Sequence, residues 1–355
     1  MPRVYNFSAG PAMMPEEVLR RAAAEMSDYN GTGMSVMEMS HRSKGYIALF
    51  EGVERKFRAA MNVPENFKVL FLQGGATLQF SAVPMNLLAR TGKADYAVTG
   101  YFSKKAFKSS QMYGAVRAAA DIGDYHRIPR QSELSPDPEA AYFHYCHNNT
   151  VYGTRWSYLP DTGTVPLVCD MSSSILSEPV DVSKFGVIYA GAQKNMGPAG
   201  LTVVVVREDL LDSPLLPGTP ELLSYKAQAA NGSMINTPAT YGVYLLGLVL
   251  DWLEDTGGVA AMAEINRKKA ALVYGAVDAS PVFNCKAEES SRSVMNAVFS
   301  SGDEATDERF LKEAAGRNLV TLKAHRATGG VRASMYNAMP LEGAQKLAEL
   351  IAEFR

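Results

Sequence analysis

Short apolar runs alternate with amphipathic stretches through the first two-thirds of the chain. Residues 68–72, 94–98, 165–169, 186–192 and 201–206 are apolar almost throughout, the pattern of strands buried on both faces. Between them, residues 44–61 place Ile47, Leu49, Phe50, Val53 and Phe57 broadly on one side of a helix. Pro15-Glu-Glu opens a helical run to about Met26, and a second run follows Gln73-Gly-Gly-Ala-Thr as far as about Leu88. This alternation predicts an α/β fold with a mostly parallel sheet. Residues 239–253 form one long apolar helix. From about 259 the texture changes to a charged helix (260–277), strand-like pieces near 293–299, a helix (306–316) and a terminal helix (341–355). The expected organisation is an N-terminal segment (1–14), a large domain (15–254) and a smaller C-terminal α+β domain (255–355).

Composition narrows the partners. The 355 residues are 47% hydrophobic and 20% charged, neither disordered nor membrane-like. A net charge of -2 argues against nucleic acid or an anionic membrane as the main partner. The longest apolar stretch, 241–250, is about half of what a membrane helix needs. Cys146, Cys169 and Cys285 are odd in number and lack short spacing, so they provide neither a disulfide framework nor a metal-ligand pattern. A reducing compartment, and so a cytoplasmic location, is expected.

The chemistry is concentrated at the ends of the apolar runs. Asp170 closes one, and Gln193-Lys194 follows another, where α/β proteins place ligands. A carboxylate and an amine so placed suit pyridoxal phosphate: the lysine forms the Schiff base and the acid pairs with the pyridinium nitrogen. Imine formation needs a partly neutral lysine, below its ordinary pKa of about 10.4. Taken alone, the pair equally describes a solvated acid and a surface lysine. Gly74-Gly75 ahead of Ala76-Thr77 lets a backbone turn approach an anion at a helix start, although a glycine pair is more often only a turn. His41-Arg42, His325-Arg326 and Arg332 lie in turn contexts, and arginine grips carboxylate or phosphate through a planar fork. Most His-Arg pairs are nevertheless solvated surface. Asn236-Thr237 ahead of Pro238 most simply cap the next helix.

Together the motifs are more specific. NFSAGPAMMPEEVL, EMSHRSK, FLQGGAT, GAQKNMGPAG, NTPAT and GGVRASMYNAM occur in this order across essentially residues 3–355. In this series the chain resembles the phosphoserine aminotransferases, class V aminotransferases of PLP fold type I. The resemblance implies a large domain with a seven-stranded sheet, the N-terminal segment near the active site, and a homodimer with active sites at the subunit interface. It assigns Lys194 to the Schiff base and Asp170 to the pyridinium nitrogen. Ala76 and Thr77 would bind the cofactor phosphate, Thr150 the 3′-oxygen side, and Gln193 would sit beside the ring. Asn236 and Thr237 would reach the cofactor phosphate of the other subunit. Ser8, His41, Arg42, His325, Arg326 and Arg332 would line the substrate site. Of these, Arg332 would hold the α-carboxylate, and His41 and Arg42 would act across the interface.

The implied reaction passes the amino group of glutamate to 3-phosphohydroxypyruvate, giving O-phosphoserine and 2-oxoglutarate in serine biosynthesis. Some members also act on 4-phosphohydroxythreonine. Two departures stand out: Phe102 occupies the ring-stacking position where many members have tryptophan, and CHNNT precedes Val151, so His147 is read as filling a loop. A cysteine-desulfurase-like reaction would need a cysteine on a flexible loop, which none of the three offers. A nucleotide-binding protein would need the Walker or dinucleotide fingerprint, and both are missing.

Overall fold

The computed structural model describes residues 3–355. Seven strands form the principal sheet: β1 (Phe67–Gln73), β2 (Lys93–Val98), β3 (Ala115–Asp121), β4 (Phe143–Cys146), β5 (Leu167–Asp170), β6 (Val187–Gly191) and β7 (Leu201–Arg207). Their order is β1-β7-β6-β5-β4-β2-β3. Strands β2 to β6 are mutually parallel, and β7 runs antiparallel to both β6 and β1. The prediction of a mostly parallel sheet therefore holds, with β7 as the exception. Residues 192–200 are too few for a crossover helix, and only an antiparallel neighbour can be reached by so short a link.

The apolar runs are continuous because both sheet faces are covered. Successive side chains of a strand point to opposite faces. Along β7, Val203 and Val205 enter one core with α1 (Glu16–Ala24), α2 (Lys44–Met61) and the later helix Thr240–Asp255, while Val204 and Val206 enter another with α3 (Gly75–Leu87) and α4 (Tyr101–Ser110). Helix α2 has the predicted limits: the Ser43 hydroxyl accepts from Tyr46 N at its start, and Asn62 ends it in the left-handed conformation. The helix over Thr240–Asp255, α5, contradicts the expected cap. Its first turn is preceded by Ala239, without a side-chain cap, because Thr240 N turns back onto Pro238 O at 2.8 Å. Asn236 and Thr237 thus lie outside the helix and are exposed.

A separate apolar core unites the C-terminal third. Helices α6 (Gly258–Asp278), α7 (Glu304–Gly316) and α8 (Leu341–Glu353) pack with the antiparallel strands β8 (Asn284–Cys285), β9 (Asn296–Ser300) and β10 (Val331–Ser334). Phe283 is its hub, with the rings of Phe310, Phe299 and Phe354 at 4.8, 5.3 and 5.5 Å. Helix α6 joins the two regions: Val259 and Met262 belong to the first core, Val273 and Val277 to the C-terminal one. The N-terminal segment is tied to this region as well, since Tyr5–Asn6 pairs with Leu319–Val320 and Phe7 is buried among its residues. No helix among the described residues is long and apolar enough to cross a membrane.

Candidate active site

The C-terminal ends of β1, β2, β4, β5 and β6 lie on one edge of the sheet, as ligand sites of open α/β folds require. The chain leaving them walls a cavity of about 510 Å³ that Ala9, Gly10, His325 and Arg332 also line. Gly10 makes this approach possible. A Cβ there would lie 3.3 Å from Gln193 Nε2 and 3.4 Å from Lys194 Cγ, and the φ of +139° suits glycine. Ala12 N donates to Gln193 O at 2.9 Å, holding the N-terminal segment over the cavity.

Asp170 is the last residue of β5 and is buried at the cavity floor. Its Oδ1 accepts from Ser172 N at 2.9 Å, and the Cys146 Sγ lies 3.9 Å from Oδ2. Burial raises its pKa above the ordinary carboxylate value, outweighing the opposing influence of Ser172 and Lys194. A cation brought to this carboxylate would be stabilised, and would stabilise it in turn. Lys194 lies three residues beyond β6 and half-buried, its Nζ donating to Thr150 Oγ1 at 3.0 Å and standing 5.5 Å from the Phe102 ring centre. Phe102 belongs to the first turn of α4 and bounds the cavity opposite the lysine.

At the other end of the floor, Gly74 and Gly75 have φ of +97° and +70° and lead into α3. The φ of +97° at Gly74 favours glycine, and a Cβ there would also displace the Leu78 side chain, whose Cδ2 lies 2.5 Å away. This turn presents Ala76 and Thr77 to the cavity at a helix start, where free amides and the helix dipole favour an anion. At the rim stands Arg332 of β10, whose buried Nε has no hydrogen-bond partner among the described residues. Burial lowers its pKa, as it does for His325, where Arg332 and Arg326 act in the same direction. A guanidinium held in this way is poised to receive an anion.

The structure thus brings together Ala76, Thr77, Phe102, Thr150, Asp170, Gln193, Lys194, His325 and Arg332. Six predicted residues do not line the cavity. Ser8 is adjacent to it, with its hydroxyl accepting from Gly10 N at 3.4 Å. Arg42 and Arg326 are exposed, and His41 is half-buried ahead of α2. Asn236 borders a neighbouring groove with Leu78 and Leu222, while Thr237 O accepts from Gln73 Nε2 at 2.7 Å.

Other lining residues escaped the sequence reading. Ser172 Oγ accepts from Gly191 N at 3.1 Å, locking the ends of β5 and β6 together beside Asp170. Asn148 donates to Ser173 Oγ and to Asn296 Oδ1, joining the cavity wall to β9. The serine run after Asp170 and the Asn pair before Thr150 were the available signals. His147 is no loop filler. It is buried, its Nδ1 lies 2.8 Å from Ser174 Oγ, and its backbone N donates to Asp170 O at 3.1 Å, so it braces the strand end that carries the acid.

This geometry has counterparts. Residues 4–347 match the family model Aminotransferase class-V. The chain is 53% identical to the phosphoserine aminotransferase of Acinetobacter baylyi, over 99% of this chain and 98% of that one. It is 50% identical to that of Nitrosomonas europaea, over 100% and 99%. Among solved structures, the PLP-bound phosphoserine aminotransferase of Trichomonas vaginalis superposes with a TM-score of 0.96 at 40% identity, covering 99% of this chain and 100% of that one. The chain belongs to the class V aminotransferase family.

Proposed function

We propose that the protein is a PLP-dependent phosphoserine aminotransferase, moving an amino group between glutamate and 3-phosphohydroxypyruvate. The observation that carries this is the convergence of Asp170, Lys194 and the α3 start on one cavity beneath Arg332 and His325. The likeness to full-length phosphoserine aminotransferases, one of them solved with PLP bound, supports it.

The residues present fit the cofactor. Asp170 is a buried acid in need of a cation, and the α3 start is suited to a phosphate. Phe102 offers a flat apolar wall, and Lys194 an amine within the same space. Bound there, pyridoxal phosphate supplies an aldehyde that condenses with amines and a protonated ring that draws electrons from the substrate α-carbon. Asp170 keeps the ring nitrogen protonated. Lys194, once a substrate amine takes its place, would accept the α-proton on its Nζ and pass it to the cofactor's aldehyde-derived carbon in the same half-reaction, the reverse transfer serving the other keto acid. Thr150 orients that amine, and Gln193 would lie beside the ring. Arg332 grips the α-carboxylate shared by both substrates.

The distal group differs between the substrates, a carboxylate in glutamate and a phosphate in phosphoserine. His325 and Arg326 reach it from this chain, with Ser8 nearby. His41, Arg42, Asn236 and Thr237 act in a partner subunit's site, the reading that accounts for their distance from this chain's own cavity. Exposed Met34, Met37 and Ile47 flank the His41-Arg42 segment, and Leu78 and Leu222 border the groove at Asn236, apolar surface suited to a homodimer. The division into 1–14, 15–254 and 255–355 is supported by the separate C-terminal core. A step of serine biosynthesis and the free thiols agree with a cytoplasmic enzyme. The test is a coupled assay of glutamate with 3-phosphohydroxypyruvate: appearance of O-phosphoserine supports the assignment, and its absence with fully loaded protein overturns it.

A further inference from the structure

Lys269 of α6 is fully buried, and its Nζ donates to three backbone carbonyls: Tyr336 O at 2.8 Å, Met339 O at 3.0 Å and Met335 O at 3.2 Å. Burial pushes its pKa down to about 7, and no acid side chain takes part in its charge balance. Three convergent carbonyls match the three N–H groups of an ammonium. One turn earlier on the same helix, buried Asn266 donates to Asn337 Oδ1 at 2.9 Å and to Ser177 O at 3.0 Å. The gripped turn, 335–339, follows β10 and therefore Arg332 directly. It also reaches the catalytic loop, since Asn337 N donates to Asn195 Oδ1 at 3.0 Å and Asn337 Nδ2 to Leu176 O at 2.9 Å. Asn195 is the neighbour of Lys194.

We propose that Lys269 is a positioning residue: by clamping the 335–339 turn, it fixes Arg332 on one side and, through Asn337 and Asn195, the backbone of Lys194 on the other. The assignment rests on the roles of Lys194 and Arg332 proposed above. Lys269 does not line the cavity. Its influence is carried by one turn of backbone: Tyr336 O also accepts from Met339 N at 2.9 Å, while Met335 O and Met339 O receive the Lys269 ammonium.

The test uses the PLP-loaded protein as Lys269→Met and Lys269→Gln. The first keeps length and removes every donor, and the second restores two N–H groups without the charge. The clamp predicts a rise in KM for O-phosphoserine of about tenfold or more in Lys269→Met, since small displacements of positioning groups are costly. The pH titration midpoint of the visible cofactor band should shift in the same variant, with cofactor retained. Lys269→Gln should recover most of both. Unchanged KM and titration in a folded Lys269→Met would overturn the proposal. If that variant does not fold, Asn337→Leu, which cuts the link to Asn195, carries the test, and wild-type KM and titration in it would overturn the proposal. Amide hydrogen exchange of residues 335–339 and 193–196 reads the clamp independently of the cofactor. Faster exchange in Lys269→Met, in a protein showing no cofactor band at all, would keep the clamp and sink the functional reading beneath it.

Discussion

The side chain of Lys194 is held by Thr150, whose hydroxyl accepts a 3.0 Å hydrogen bond from Nζ across the cavity. Thr150 comes from the chain leaving β4 and Lys194 from the chain leaving β6, so the bond spans the strand between them, β5, which ends in Asp170. Lys194→Ala should keep the fold, lose the visible cofactor band and reduce turnover by about a thousandfold or more, the scale of a missing proton-transfer group. Thr150→Val should retain the band with turnover reduced by about fivefold, a lost neutral hydrogen bond being worth about 1 kcal/mol. Spectra and steady-state rates of the two variants check both, and an active Lys194→Ala would show that another amine does the work.

Asp170→Asn preserves shape and removes charge. Because the acid is buried with its pKa raised by that burial, its partnership with a ring cation is the interaction that makes its ionised form worthwhile. Cofactor affinity should fall by about a hundredfold, as when one partner of a buried charge pair is truncated. Equilibrium dialysis against pyridoxal phosphate measures this, and wild-type affinity would remove the pyridinium role.

Two buried histidines make stability pH-dependent. His144 Nε2 lies 2.8 Å from the Tyr189 hydroxyl, and burial pushes its pKa down to about 3; His147 is pushed down to about 4. Above pH 6.5 neither the native nor the unfolded state takes the proton. Below it, the unfolded chain takes a proton that the native state refuses, so stability falls as pH falls. Between pH 6.5 and 5 the loss is about 2 kcal/mol per histidine. His147→Gln should flatten this slope by about half in urea titrations at pH 7 and 5, and an unchanged slope would contradict the assignment.

Arg332 and Arg42 should separate two kinds of recognition. Arg332→Lys removes the planar fork from the shared α-carboxylate position, so KM should rise about 10- to 100-fold for glutamate and O-phosphoserine alike. Arg42→Ala should harm O-phosphoserine more than alanine-like amino acids, which carry no distal anion. Equal losses across all substrates in Arg42→Ala would argue against distal-group recognition across a subunit interface.

Much of this site was legible in the chain because its chemistry sits where strands end. Asp170 and Lys194 follow apolar runs, and the Gly74-Gly75 turn precedes a helix, so local pattern alone brought them near one sheet edge. Hydrogen bonds between distant segments were not legible. Asn148 meets Asn296, and Asn337 meets Asn195, through packing of the C-terminal region that no local period encodes. The direction of β7 depended on a short link whose geometry was not read. The cap expected of Asn236-Thr237 failed because the chain turns once more at Pro238 before α5 begins. His41, Arg42, Arg326, Asn236 and Thr237 do not line the cavity in the single chain, and the motif resemblance rather than local pattern is what connects them to it.

The most direct test of the account is a spectral titration of the purified, PLP-loaded protein with O-phosphoserine and then 2-oxoglutarate. The account predicts that the visible band moves to the near ultraviolet with the first addition and returns with the second, one equivalent per Lys194. A visible band that ignores O-phosphoserine while answering another amino acid would contradict the substrate assignment. Failure to form any visible band with added pyridoxal phosphate would contradict the roles given to Lys194 and Asp170.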